Sequence, residues 1–183
     1  METSITKQQL FSKDDLKKLI IPLLFEQALA ITVGMADTVM ISSAGEAAVS
    51  GVSLIDMFNN LIISVLAALA TGGAVVTSQF LGAGKKEDAC KSAKQLIVSS
   101  VCITIGISIL VMVFCNGIIS LFFGKIEADV FHNAVIYMMI SALSFPFLAL
   151  YNSCAALFRS MGNSQITLKV SVVENIINIG GNA

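Results

Sequence analysis

The sequence predicts an all-α fold, a polytopic bundle of membrane-crossing helices, and three observations carry that reading. Hydrophobic residues make up 56% of the 183 and charged residues 13%, with a mean hydropathy of +0.86, whereas a soluble domain is roughly half apolar and a quarter charged. Apolar runs long enough for the ~20 helical residues that cross about 30 Å of hydrocarbon recur along the chain. The basic residues sit in alternate loops between those runs. A transmembrane β-barrel would instead show segments of about ten residues with alternating polarity; the chain has no such pattern and no Trp.

The first run, Leu19 to Ser43, is preceded by Ser12 as N-cap, with Asp15 three residues on in a variant of the capping box and Phe11 placed to staple against Leu16. Pro22 follows within the first turns. The run is too long for a signal-peptide core and no A-x-A site follows it, so it reads as an uncleaved span. The second run, Ala47 to Thr77, contains Ala67-Ala68-Leu69-Ala70-Thr71-Gly72-Gly73-Ala74, small residues that let a neighbouring backbone approach closely; Gly72-Gly73 reads equally as a hinge. Gly82-Ala83-Gly84-Lys85-Lys86-Glu87-Asp88 predicts a tight corner opening a helix with acids in its first turn. The third run is Leu96 to Phe123. The fourth, Ala134 to Phe158, holds Pro146, which removes a backbone donor and predicts a bend. A fifth starts near Leu168, and the sequence stops inside it at Ala183 with no polar tail, so the chain reads as a fragment. The expected division is a segment over 1–18 and a transmembrane unit over 19–183.

Lys7, Lys13, Lys17 and Lys18 precede the first span, Lys85, Lys86, Lys91 and Lys94 follow the second, and Arg159 and Lys169 follow the fourth. Of the 11 Lys and Arg only Lys125 lies in the alternate loops. The positive-inside rule then predicts a cytoplasmic N-terminus, in a multi-pass protein of the plasma (inner) membrane. Cys90, Cys102, Cys115 and Cys154 have no CxxC or metal spacing, and three of them fall in apolar runs, where Cys behaves as a small hydrophobe. His132 reads as a solvated loop residue. No nucleic-acid partner is expected.

Polar residues within the spans line up. Ser53, Asp56, Asn60, Ser64, Thr71 and Ser78 follow helical steps along one face of span two, and Ser171, Asn175, Asn178 and Asn182 do the same in span five. Such stripes either bind helices together by hydrogen bonds of about 0.6 kcal/mol each or line a protein interior or water-filled cavity. The acids Glu26, Asp37, Asp56 and Glu174 would together cost roughly 10 kcal/mol if additive, which helix glue does not offset. Glu26 and Glu174 are read as snorkelling towards the cytoplasmic face. Asp37, in Gly34-Met35-Ala36-Asp37-Thr38-Val39-Met40, lies about 9 Å past the midpoint of its run, too deep for a short side chain to reach water unless a cavity comes to it. It is the leading functional candidate.

These residues resemble the multidrug and toxin extrusion (MATE) transporters, within the larger group that includes lipid-linked oligosaccharide flippases. The likeness covers Leu19 to Ala183. It rests on Pro22 with Asp37 in Met35-Ala36-Asp37-Thr38-Val39-Met40-Ile41-Ser42, on Gln79-Phe80-Leu81-Gly82-Ala83-Gly84, on Arg159-Ser160-Met161-Gly162-Asn163-Ser164, and on Asn178 with Asn182. The resemblance implies the N-terminal part of a twelve-span fold built of two six-helix lobes, with the C-terminal lobe of the same transporter as the missing partner. It also implies that Asp37 binds a proton or Na⁺ with Asn178 and Asn182 nearby, a metal site of Asp37 and Asn178 if the ion is Na⁺, and that Pro22 takes part in helix bending. Asn182 stands where some relatives carry a second aspartate, so one negative charge is missing. Glu26, Asp56, Asn60 and Asn175 join Pro22 as cavity-lining or hinge candidates.

The function this predicts is a cation-coupled antiporter, driven by H⁺ or Na⁺ without further cofactors, that exports small organic cations or drugs by alternating access. Desolvation favours the protonated carboxyl and a bound cation the ionised one, so the two ions compete for one group. A flippase would need basic residues around its cavity, and no Lys or Arg lies within the first four runs. An inactive truncated remnant is a third reading. No HExxH or GxSxG pattern points to an enzyme.

Overall fold

The computed structural model describes residues 13–182, and of Asp15, Ile179, Gly181 and Asn182 it describes the backbone alone. The predicted Ser12 cap and Phe11 staple lie outside the described residues. Among those residues the chain forms five helices and no strand: α1 (Lys13–Ser42), α2 (Glu46–Gly82), α3 (Lys86–Phe123), α4 (Ala128–Ser160) and α5 (Ser164–Asn182). The first four are long and apolar enough to cross a membrane. Each of α2, α3 and α4 outruns its apolar stretch, because hydropathy marks only the part that needs lipid while backbone hydrogen bonding continues through the polar ends. Glu87 and Asp88 open α3, where they complement the positive end of its dipole.

The four turns share one solution. Each contains a glycine at positive φ, Gly45, Gly84, Gly124 or Gly162, a conformation that costs other residues dearly. At two of them the amide three residues past the helix reaches back to a phenylalanine carbonyl, Lys85 to Phe80 at 3.0 Å and Asn163 to Phe158 at 2.9 Å. This six-to-one bond is the Schellman closure. The Phe80–Gly84 and Phe158–Gly162 segments are therefore the same helix stop, used at the same end of the bundle.

Within the bundle α2 packs chiefly against α4, α3 covers both, and α1 pairs mainly with α5. Ile55 and Phe58 of α2, Val111, Cys115 and Ile119 of α3, and Ala134, Met138, Ala142 and Phe145 of α4 form the main core. A second cluster sets Ala70, Ala74 and Ala156 around Leu96 and Leu157. With no hydrophobic effect to draw helices together in lipid, close approach supplies the attraction. Gly51 shows how close: a Cβ there would lie 3.0 Å from both the Val130 carbonyl oxygen and the Ala134 nitrogen of α4. Gly73 faces Leu96 of α3, whose Cδ1 an added Cβ would overlap, while Gly72 has open space. Of the Gly72-Gly73 pair, Gly73 is thus the packing residue.

Pro146 does not interrupt its helix. α4 runs through Pro146 as one helix, and the departure from helical dihedrals is at Phe114 of α3 (φ −103°, ψ 16°). A lost bond in a membrane helix is absorbed by small local adjustments when neighbours surround it. Large apolar side chains such as Leu24, Phe25 and Ile31 on α1, Ile109, Val113 and Leu121 on α3, and Leu143 and Phe147 on α4 stand exposed, as expected of helices that cross a membrane.

Candidate functional site

Helical repetition assembles the site. Gly34, Asp37, Thr38 and Ile41 recur at three- and four-residue steps on α1, and Val49, Val52, Ser53 and Asp56 do so on α2; together with Tyr137 of α4 they enclose a cavity of about 210 Å³. A second cavity, of about 390 Å³, is lined by Asp37, Met40, Ile41, Tyr137 and Asn178. A third, of about 370 Å³, is bounded by Asp56, Asn59, Asn60, Tyr137, Ser141 and Ser144 among others. Asp37 belongs to the first two, Asp56 to the first and third, and Tyr137 to all three. Through these shared residues the three spaces adjoin one another from α5 across α1 to the face of α2 and α4.

Tyr137 was not legible as a site residue, although its hydroxyl donates to Asp56 Oδ1 at 2.9 Å. The signal lay in composition: the chain has only two tyrosines, and a phenol inside a span requires a partner. Asn59, also passed over beside Asn60, donates from Nδ2 to Ser141 Oγ at 3.1 Å and so ties α2 to α4. Its other amide atom, Oδ1, is buried without a hydrogen bond.

The polar stripe of α2 divides in two. Ser53, Asp56 and Asn60 line cavities. Ser64, Thr71 and Ser78 donate to carbonyls of their own helix, at Asn60, Ala67 and Val75. On α5, Asn178 faces the site, Asn175 donates to Ser171 Oγ at 3.4 Å, and the side chain of Asn182 lies outside the described residues. Pro22, Glu26 and Asn175 border none of these three cavities.

Glu26 corrects the snorkelling expectation. It is only 7% exposed; Arg159 Nη1 and the Tyr151 hydroxyl of α4 both reach its Oε1 at 3.4 Å. A paired guanidinium lets a carboxylate stay buried where water is absent. Arg159, read as lying beyond the fourth span, occupies the last turn of α4 and points back into the bundle. Both tyrosines thus serve α4 in the same way, each donating to an acid of a neighbouring helix.

The MatE family model matches residues 22–183. The chain belongs to the MatE family. An uncharacterized transporter of Bacillus subtilis, YisQ, is 31% identical over 186 residues, covering 96% of this chain and 40% of its own length. A probable multidrug resistance protein of Thermotoga maritima, NorM, is 25% identical over 172 residues, covering 91% and 36%. A MOP superfamily transporter structure from Pyrococcus furiosus superposes with a TM-score of 0.84 at 20% identity, over 93% of this chain and 37% of the other. The MatE chain described here therefore spans about two fifths of the length of these relatives. The MatE match begins at Pro22, and both Schellman stops lie within it, so the segments that carried the resemblance are fold-determining turns as well as site residues.

Proposed function

We propose that this MatE chain supplies the ion-binding half of a cation-coupled antiporter that exports amphipathic organic compounds. One observation carries the reading: Asp37, an acid deep in a span, borders both the cavity it shares with Asn178 and the one it shares with Asp56. An ion arriving at Asp37 thus changes the charge on the wall of a cavity that α2 and Tyr137 of α4 also line. In this reading Asp37 takes H⁺ or Na⁺, with the Asn178 amide oxygen as a ligand when the ion is Na⁺. Neutralising the carboxylate lets α1 repack and releases the compound. The basic turns support a reading with the N-terminus on the cytoplasmic side of the plasma membrane; in that reading the membrane potential adds about 2.3 kcal/mol per charge per 100 mV, roughly fiftyfold in concentration.

No lysine or arginine lines the three cavities among the described residues, which favours a cationic or amphipathic cargo over a pyrophosphate-linked lipid. The test is efflux of ethidium or norfloxacin from cells expressing the complete reading frame with Asp37→Asn. Loss of efflux is expected; unchanged efflux removes Asp37 from the mechanism.

A further inference from the structure

Pro22 has no amide hydrogen, so the carbonyl four residues back, on Lys18, loses its helical donor. α5 begins beside it. The hydroxyl of Ser164, the first residue of α5, lies 3.1 Å from the Leu19 carbonyl oxygen and 3.3 Å from that of Lys18, close enough for its single proton to be shared between them. Ser164 is 1% exposed, and Pro22 is buried as well. One turn beyond the proline, Glu26 is held by Arg159 and Tyr151. The proline break is therefore gripped on both sides, by α5 before it and by α4 after it.

The two helices then run in the same direction for matching lengths. From Pro22 to Asp37 is about 22 Å of helix and from Ser164 to Asn178 about 21 Å, and both end at the same cavity. We propose that Ser164 is a positioning residue: by donating to the α1 carbonyls at the proline break it sets the axial register of α1 against α5, and thereby of Asp37 against Asn178. The functional half of this proposal rests on the cation-site reading above; the register half does not.

The experiment is a double-mutant cycle in the complete reading frame, with Ser164→Ala, Pro22→Ala and both together, and Ser164→Thr as the conservative variant. Alanine at 22 restores an amide that donates to Lys18, so the Ser164 hydroxyl is no longer needed there. Ser164→Ala is expected to lower the melting midpoint of the purified protein by about 3 °C with Pro22 present, and to have a smaller effect in the Pro22→Ala background, where only the contact with Leu19 remains to be lost. It is also expected to raise the half-saturating ion concentration for efflux several-fold while the maximal rate changes less, with Ser164→Thr near the parent in both measurements. An equal loss of melting midpoint in the two backgrounds overturns the proposal, as does an unshifted ion dependence. If instead Asp37→Asn leaves efflux intact, the cation-site reading fails while the melting cycle still reports on the register, so the two failures are distinguishable.

Discussion

Tyr137 of α4 donates its phenolic hydrogen to Asp56 of α2 at 2.9 Å; Tyr137 borders all three cavities and Asp56 two of them. Tyr137→Phe keeps the ring and removes the donor. A hydrogen bond to a charged group contributes about 2 kcal/mol, so the variant is expected to melt several degrees lower in detergent. Efflux of an organic cation should fall with it. A melting point equal to the parent's would mean that water replaces the phenol at Asp56 without loss.

Asn178 and Asp37 line the same cavity, so the part of Asn178 is read best in ion dependence. Asn178→Ala removes an amide oxygen while leaving the carboxylate in place. The expected outcome is a higher half-saturating Na⁺ concentration with little change at saturating ion, measured as efflux against sodium at fixed pH. Should proton-driven efflux at zero sodium change by the same factor, Asn178 acts through structure rather than as a ligand.

Arg159 and Glu26 make a pair whose members are unequal in burial, with side chains 31% and 9% exposed. Arg159→Gln leaves the buried carboxylate without its cation at a cost of about 3 kcal/mol. Glu26→Gln costs less, since the partly exposed guanidinium keeps access to polar surroundings. The double variant should be more stable than Arg159→Gln alone, which thermal unfolding of the four proteins decides.

Gly51 and Gly72 make a matched contrast. Gly51→Ala drives a methyl against α4 backbone atoms that have no rotamer to change, an overpacking cost of about 2 kcal/mol. Gly72→Ala meets open space and is expected to be neutral. Comparison of their melting midpoints tests whether the contact of α2 with α4 is as tight as described.

Much of this protein follows from sequence alone, because the bilayer imposes simple demands. A chain in hydrocarbon satisfies its backbone as helix, so 20-residue apolar runs became α1 to α4, and three- and four-residue steps put Ser53, Asp56 and Asn60 on one face. The tight corner at Gly82-Ala83-Gly84, which ends α2, was equally readable. Partnerships between distant residues were not. Nothing in the spacing of α4 announces that Tyr137 meets Asp56 or that Arg159 turns inward to Glu26, and nothing before Ser164 shows that its hydroxyl serves carbonyls near Pro22. Those contacts depend on which helices become neighbours and in what register, and local periodicity carries no information on either. The sequence determined that this chain is a bundle of membrane helices with an acid in its interior; only the packing decided which groups that acid shares a cavity with.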